Sequence, residues 1–212
     1  MATTQTQVWD AREAAAMQDI LRRQQDSFHA ELPVSVASRR DRLNRGLKLL
    51  LENVDAFVGA MSEDFGHRSK EQSEITDIMS SIKSFKHTLK HFEGWMRPET
   101  RPMDFPLWLL GARAHIEYQP KGVVGIIAPW NFPSAIPAWK IAPALAYGNC
   151  VVFKPADLVP GSSWAIADIL HRSGVPAGAF NLCMGRGSVV GETLLADPRV
   201  DAITFTGSVE TG

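Results

Sequence analysis

The chain has 212 residues, and its 22 lysines and arginines nearly balance 23 aspartates and glutamates. Apolar residues make up 45% and charged residues 21%, which is ordinary for a globular protein with a sizeable core. The formal net charge of −1 gives no basic surface for nucleic acid, and no apolar run is long enough to span a bilayer. The N-terminus has no apolar run or basic leader, so we expect a cytoplasmic protein without a secretory signal.

The first third of the chain is predicted to be helical. Apolar residues recur at helical spacing before Pro33, which should end the first helix. Leucines between residues 43 and 51 mark a second helix, and a third ends near Gly66. The sequence SKEQ (69–72) fits a capping box, in which serine and glutamine satisfy each other's backbone N–H groups. The longer helix that follows should bury a single stripe, made of Ile75, Ile78, Met79, Ile82, Phe85, Leu89 and Phe92.

Neither the histidines nor the cysteines indicate a metal site. His87 and His91 are four residues apart, but they lack an acidic or cysteine companion, so we interpret them as surface residues. The two cysteines, Cys150 and Cys183, fall in predicted buried strands. This position favours reduced core residues over a disulfide or a metal pair.

Residues 98–119 connect the helical region to the rest of the chain. The segment PETRPMDFPLWLLG (98–111) contains three prolines and several large apolar residues. Such an apolar connector more often packs on its own domain or on a subunit than remains in water. Residues 115–118 alternate polar and apolar side chains, which predicts a half-exposed strand.

The segment from Gly122 to Pro155 organises the second half. Residues 123–128 suit a strand that is buried on both faces. A mostly apolar helix should follow and end at Gly148-Asn149, and a second buried strand spans 150–153. Such a βαβ unit predicts a parallel sheet.

The same alternation continues to the last residues. We predict a helix from Pro160, a strand at 180–184, a short helix at 189–196 and a strand at 202–205. Gly207-Ser208 should begin another helix. The resulting fold class is α/β, with a helical layer packed on a doubly wound, Rossmann-like parallel sheet.

Ligands of parallel sheets bind beyond the carboxyl ends of the strands, where Trp130, Asn131 and Lys154 should lie. Asn131 is either a turn residue between prolines or an amide donor for an oxyanion. Gly185, Gly187 and Gly191 form G-x-G-x-x-x-G after a strand, which is either a tight turn or part of a dinucleotide site. Gly207-Ser208 is either an ordinary helix cap or a phosphate-binding helix start.

Four segments, in this order, resemble the aldehyde dehydrogenase superfamily. They are GVVGIIAPWNFP (122–133), WKIAPALAYGNCVVFKPAD (139–157), GVPAGAFNLCMGRG (174–187) and DAITFTGSVETG (201–212). In the first third, HRSKEQSEITDI is similar to the coniferyl aldehyde dehydrogenase branch. The later AIPAWKIAPALAYGN and KPADLVPG are more similar to semialdehyde dehydrogenases.

The resemblance implies NAD(P)-dependent oxidation of an aldehyde to a carboxylic acid by a homo-oligomer, either a dimer or a tetramer. It implies the N-terminal part of an aldehyde dehydrogenase domain, with a helical region at 1–97, a connector and strand at 98–119 and an incomplete dinucleotide-binding region at 120–212.

The resemblance also implies a role for each matching residue. Asn131 would be the catalytic oxyanion donor, and seven residues would bind the cofactor: Ile127, Trp130, Lys154, Asp157, Gly187, Gly207 and Ser208. Asp157 stands where the family often has glutamate. Its charge would repel the 2′-phosphate of NADP while Lys154 would attract it, so NAD or NADP remains open.

The family's nucleophilic cysteine and its water-activating glutamate lie beyond the matched segments. We therefore expect a fragment that is inactive by itself, since thiolate attack on the aldehyde requires that cysteine. The alternative is a catalytically inactive remnant that binds a dinucleotide or a partner subunit.

Overall fold

The structure is a computed structural model that describes residues 2–212, with side chains described from Ala11 onward except that of Glu13. The first part of the chain is helical, as predicted. Its elements are α1 (Ala2–Glu31), α2 (Val36–Glu52), α3 (Val54–Phe65), the short α4 (Lys70–Gln72), a π-helical segment (Ser73–Ile78) and α5 (Met79–Trp95).

The second part alternates strands and helices. Its elements are β1 (Glu99–Arg101), β2 (Ala114–Ile116), β3 (Val123–Ile127), α6 (Ala135–Ala146), β4 (Cys150–Lys154), α7 (Pro160–Arg172), β5 (Phe180–Leu182), a second π-helical segment (Gly187–Gly191), α8 (Glu192–Ala196) and β6 (Ala202–Phe205). Strands β3 to β6 form a parallel sheet in the order β5-β4-β3-β6. The predicted α/β class is confirmed, although β5 is shorter than the predicted strand at 180–184.

The sheet is covered on both faces. On one face, Met17 and Leu21 of α1 and Leu194 of α8 pack against Val123 and Val152. On the other face, α6 and α7 pack against the remaining strand residues, which include Ile126, Val151 and Phe153. Burial on both faces explains why β4 reads as a continuous apolar run, since every one of its residues is buried.

The helices α2, α3 and α5 form an outer layer over α6 and α7. Phe85 and Phe92 of α5 pack against small residues of α6, and Met61 of α3 packs near Ile169 of α7. Helix α3 ends at Gly66, as predicted, and this glycine adopts a left-handed conformation with φ of 77°. The outer layer therefore packs on these two helices.

The single apolar stripe predicted for the long helix is wrong at its beginning. Ile75 and Met79 are exposed by 64% and 47%, whereas Ser73 and Asp77 are fully buried. The reason is the π-helical segment, which adds a residue to the turn and changes the face that the following residues present. Small polar residues at spacings of four and seven are buried on this side of the helix: Ser73, Asp77, Ser81 and Thr88.

Two further predictions for this region are only partly met. In the capping box, Ser69 Oγ accepts from the backbone N–H of Gln72 at 3.0 Å, but the described residues show no return bond from the Gln72 side chain. The connector contains a strand that was not predicted, because β1 pairs antiparallel with β2 and places Thr100 opposite His115. Most apolar residues of the connector are exposed, including Phe105, Trp108 and Leu110.

The helices of the sheet take their N-terminal caps from the outer layer. Among the described residues, the cap positions of α6 and α7 make no side-chain capping bond of their own. Instead, Asp77 accepts from the backbone N–H groups of Ser134 and Ala135, both at 3.0 Å. Asp64 accepts from those of Gly161 and Ser162, at 2.9 and 2.8 Å. Each carboxylate also complements the positive end of the helix dipole.

We predict that Asp64→Ala lowers the free energy of unfolding by about 1–2 kcal/mol, because α7 loses its only described side-chain cap. Urea denaturation of both proteins measures the difference. Glu63→Ala, at the exposed neighbouring position of the same helix, is the matched control and should leave the midpoint nearly unchanged. Equal midpoints for Asp64→Ala and the parent would contradict the capping role.

Candidate functional site

The carboxyl ends of β3, β4 and β6 open into one large cleft. Its volume is about 1110 Å³, which is ample for a dinucleotide. All eight residues predicted for the site line this cleft: Ile127, Trp130, Asn131, Lys154, Asp157, Gly187, Gly207 and Ser208. The fold thus brings together residues that are up to 81 positions apart, from Ile127 to Ser208.

The sheet order explains why the cleft forms there. From β3 the chain crosses to β4 and then β5 on one side, and it returns to place β6 on the other side of β3. Beyond the strand ends, Ala128 N donates to Lys154 O at 3.2 Å and Thr206 N donates to Ile127 O at 3.1 Å. The loops after β3 and β6 must then diverge, which leaves a crevice at the topological switch point.

Asn131 lies in the loop between β3 and α6, with its backbone held and its side chain available. Its carbonyl oxygen accepts from Arg68 Nη1 at 3.2 Å. Its side-chain amide makes no hydrogen bond to any described residue. Trp130, half exposed beside it, has its ring 6.1 Å from that of Phe65. The amide can therefore donate to a ligand oxygen in the cleft without first breaking a protein contact.

Lys154 is the buried cation of the site. Only 5% of the residue is exposed, and Nζ donates to Pro155 O at 2.7 Å and to Asp157 Oδ1 at 2.9 Å. An ammonium group has three donors, so one N–H remains for a ligand hydroxyl. Asp157 is half exposed in this pair and adds a carboxylate acceptor at the same place.

The glycines and Ser208 also line the cleft. A Cβ atom at Gly187 or Gly191 would meet no other atom within 4 Å, so the chain leaves open space there. A Cβ atom at Gly207 would lie 2.3 Å from Cζ of Phe205, so that ring would have to move to accept a side chain there. Ser208 Oγ lies 2.9 Å from Thr211 Oγ1 in an exposed turn. Residues 209–211 form this single turn where the start of a helix was predicted.

Neither cysteine belongs to the cleft. Cys150 begins β4 at the opposite edge of the sheet and is 3% exposed, and burial raises the pKa of its thiol to about 12. Cys183 is 6% exposed, and its sulfur contacts that of Met17 beneath α1. A thiol becomes a nucleophile only as the thiolate, so this environment suits core packing and opposes covalent catalysis.

Sequence reasoning missed two charged residues behind the loop of Asn131. Arg68 and Asp77 form an ion pair of 2.6 Å, with side chains 5% and 0% exposed. A signal was present, because Asp77 continues the four-residue spacing of Ser73 and Ser81. The π-helical segment that turns this polar row inward was not predicted.

Neither a membrane-spanning helix nor a metal-binding cluster is found among the described residues. No helix of the described chain combines the length and hydrophobicity needed to cross a membrane. Within the same residues, no group of three histidine, cysteine or acidic side chains has the geometry to hold a metal ion.

We predict that both thiols of the native chain react with a disulfide reagent at pH 8 at least about 100-fold more slowly than in guanidinium, because both are buried away from the reagent and burial raises the pKa of the Cys150 thiol. Absorbance of the released thiolate measures both rates. Rapid labelling of either cysteine in the native chain would contradict the assignment of both residues to the core.

The geometry agrees with comparisons to known proteins. A family model described as "Aldehyde dehydrogenase family" matches residues 2–212. A coniferyl aldehyde dehydrogenase from Pseudomonas sp. is 41% identical over 140 residues, which are 66% of this chain and 28% of that protein. An alpha-ketoglutaric semialdehyde dehydrogenase from Bacillus subtilis is 54% identical over 93 residues, which are 44% of this chain and 19% of that protein.

The fold is shared as well. The crystal structure of an NAD-dependent benzaldehyde dehydrogenase from Corynebacterium glutamicum superposes with a TM-score of 0.84 at 28% identity, covering 93% of this chain and 41% of that one. The chain spans about a third of the length of the curated relatives it matches. The family model nevertheless accounts for all but the first residue, so this chain belongs to the aldehyde dehydrogenase family.

Proposed function

We propose that this chain supplies the cofactor pocket and the oxyanion donor for NAD- or NADP-dependent oxidation of an aldehyde to a carboxylic acid. The observation that carries the proposal is the convergence of all eight predicted site residues in one cleft at the β3/β6 switch point. Residues 120–212 are the dinucleotide-binding part of this unit, residues 1–97 its helical support, and residues 98–119 the connector between them.

The residues of the cleft fit a dinucleotide. Lys154 and Asp157 offer a donor and an acceptor side by side, which suits the vicinal hydroxyls of a ribose. Ser208 offers a hydroxyl in an exposed turn, where a pyrophosphate can accept a hydrogen bond. Gly187 and Gly191 leave room for the backbone to approach the ligand closely. Ile127 and Trp130 give the apolar boundary that a nicotinamide ring requires.

Asn131 carries the catalytic part of the proposal. The nicotinamide ring accepts the hydride when the cofactor is bound. The Asn131 amide donates a hydrogen bond to the aldehyde oxygen as negative charge develops on it during thiolate attack. Because the backbone of Asn131 is already held by Arg68, little reorganisation is needed at that moment.

The nucleophile comes from outside these 212 residues, because Cys150 and Cys183 are both buried away from the cleft. We propose a cytoplasmic homo-oligomer, a dimer or a tetramer, with the exposed apolar residues Phe105, Trp108 and Leu110 at a subunit contact.

The proposal predicts that Lys154→Met weakens NAD⁺ binding to the 212-residue chain by about tenfold or more, because a hydrogen bond from a charged donor is lost. Titration with NAD⁺ followed by amide chemical shifts measures the dissociation constant, even in the millimolar range. Lys121→Met, an exposed lysine at the opposite edge of the sheet, is the matched control. Equal weakening by both variants, or no binding by the parent chain, would contradict the assignment.

The chain by itself is predicted to oxidise no aldehyde, since both of its thiols are buried and neither lines the cleft. Reduction of NAD⁺ or NADP⁺ is followed at 340 nm with a panel of aldehydes, before and after alkylation of thiols. Turnover that alkylation abolishes would refute this prediction.

A further inference from the structure

Asp77 is a fully buried carboxylate that joins its own helical segment, where Thr76 Oγ1 lies 3.2 Å from Oδ2, to the loop of Asn131. Its Oδ1 accepts from Ser134 N and Ala135 N, which begin α6 directly after that loop, both at 3.0 Å. Its Oδ2 accepts from Arg68 Nη2 at 2.6 Å. A buried carboxylate without partners is strongly unfavourable, so these bonds fix both Asp77 and the start of α6.

Arg68 links this carboxylate to Asn131. While Nη2 bonds Asp77, Nη1 donates to the carbonyl oxygen of Asn131 at 3.2 Å. The guanidinium carbon lies 4.8 Å from the centre of the Phe65 ring, which in turn contacts Trp130. The planar guanidinium thus bridges two groups with separate nitrogens, which a lysine with its single nitrogen cannot reproduce.

Hydrogen bonds to backbone atoms therefore hold the loop at both ends. Arg68 holds it at residue 131 and Asp77 at residues 134 and 135. Ser81 Oγ adds a contact of 2.9 Å to Ser134 Oγ. None of these bonds uses the side-chain amide of Asn131, so the network leaves that amide available to the cleft.

The π-helical segment is what brings Asp77 into reach. It spans Ser73–Ile78 and buries Asp77 while it exposes Ile75, an arrangement that a regular α-helix with the predicted apolar stripe would not give. Exposure of a large apolar side chain such as that of Ile75 is unfavourable. The same segment places the carboxylate of Asp77 where it binds the backbone directly after the Asn131 loop. π-Helical turns are frequent at functional sites for this kind of reason.

We infer that Arg68 and Asp77 are positioning residues that preorganise Asn131 through the backbone of its loop. The inference rests on the proposed function of Asn131 as the oxyanion donor. Neither Arg68 nor Asp77 lines the cleft. The pair fixes the position of the Asn131 amide before the reaction begins. A donor that is already in position needs no reorganisation during the reaction, whereas water molecules must reorient.

The test measures order at Asn131 by ¹⁵N relaxation in the ligand-free 212-residue chain, with the Asn131 side-chain resonance identified from Asn131→Ser. Arg68→Lys retains the charge next to Asp77 but cannot reach both Asp77 and the Asn131 carbonyl. We expect a lower order parameter at the Asn131 side chain and backbone, and exchange of the Ser134 and Ala135 amides that stays within about threefold of the parent. A change confined to Asn131 is not expected from general loss of stability.

Arg40→Lys is the matched control, because Arg40 also joins a carboxylate, that of Glu93, to a backbone carbonyl, that of Leu89. It should leave Asn131 unchanged. Asp77→Asn is the second variant, since it keeps the shape and one oxygen for the helix amides while its NH₂ group displaces Arg68. It should loosen Asn131 as well and speed exchange at residues 134 and 135 by about tenfold or more.

Unchanged order at Asn131 in both Arg68→Lys and Asp77→Asn would overturn the inference, and so would equal loosening by Arg40→Lys. Both results are obtained without ligand. They are therefore separate from the NAD⁺ titration, whose failure would contradict the proposed function and leave the loop measurement valid.

Discussion

The buried carboxylate of Asp77 is the constraint on which the arrangement of the site depends. It must be satisfied because it has no access to water. Its hydrogen bonds come from Arg68 and from the backbone N–H groups at the start of α6, and Thr76 Oγ1 lies 3.2 Å away. Arg68 in turn binds the carbonyl oxygen of Asn131. Without that carboxylate the N-terminus of α6 has no side-chain cap among the described residues. The helical layer is thus more than a cover for the sheet, since it determines where the loop after β3 stands.

A similar arrangement is found at the next helix, where the carboxylate of Asp64 caps the N-terminus of α7. The outer layer contributes both caps, and it also packs on α6 and α7 through apolar clusters around Phe92 and Met61. These two helices are therefore fixed at their N-termini, which is the edge of the sheet that carries the cleft. Rigid support at that edge is what a preorganised binding site requires.

Much of this architecture could be predicted from the sequence because its signals are local. The apolar runs at β3 and β4, the end of α3 at Gly66 and the alternation after Pro155 each follow from short-range chemistry. The βα alternation could place Trp130, Asn131 and Lys154 at the carboxyl edge of the sheet, but the role of each site residue could be predicted only through the family resemblance, since no spacing rule joins Asn131 to Ser208. The π-helical segment, the buried row around Asp77 and the β1 strand escaped prediction. They depend on tertiary partners that outweigh local periodicity, as the exposed Ile75 shows.

A crystal structure of the 212-residue chain grown with saturating NAD⁺ tests the central claim most directly. The account predicts density along the carboxyl edge of the sheet, with a ribose at Lys154 and Asp157, the pyrophosphate at Ser208 and the nicotinamide beside Asn131. Density for the dinucleotide at any other surface, or a cleft that holds only solvent at saturation, would contradict it.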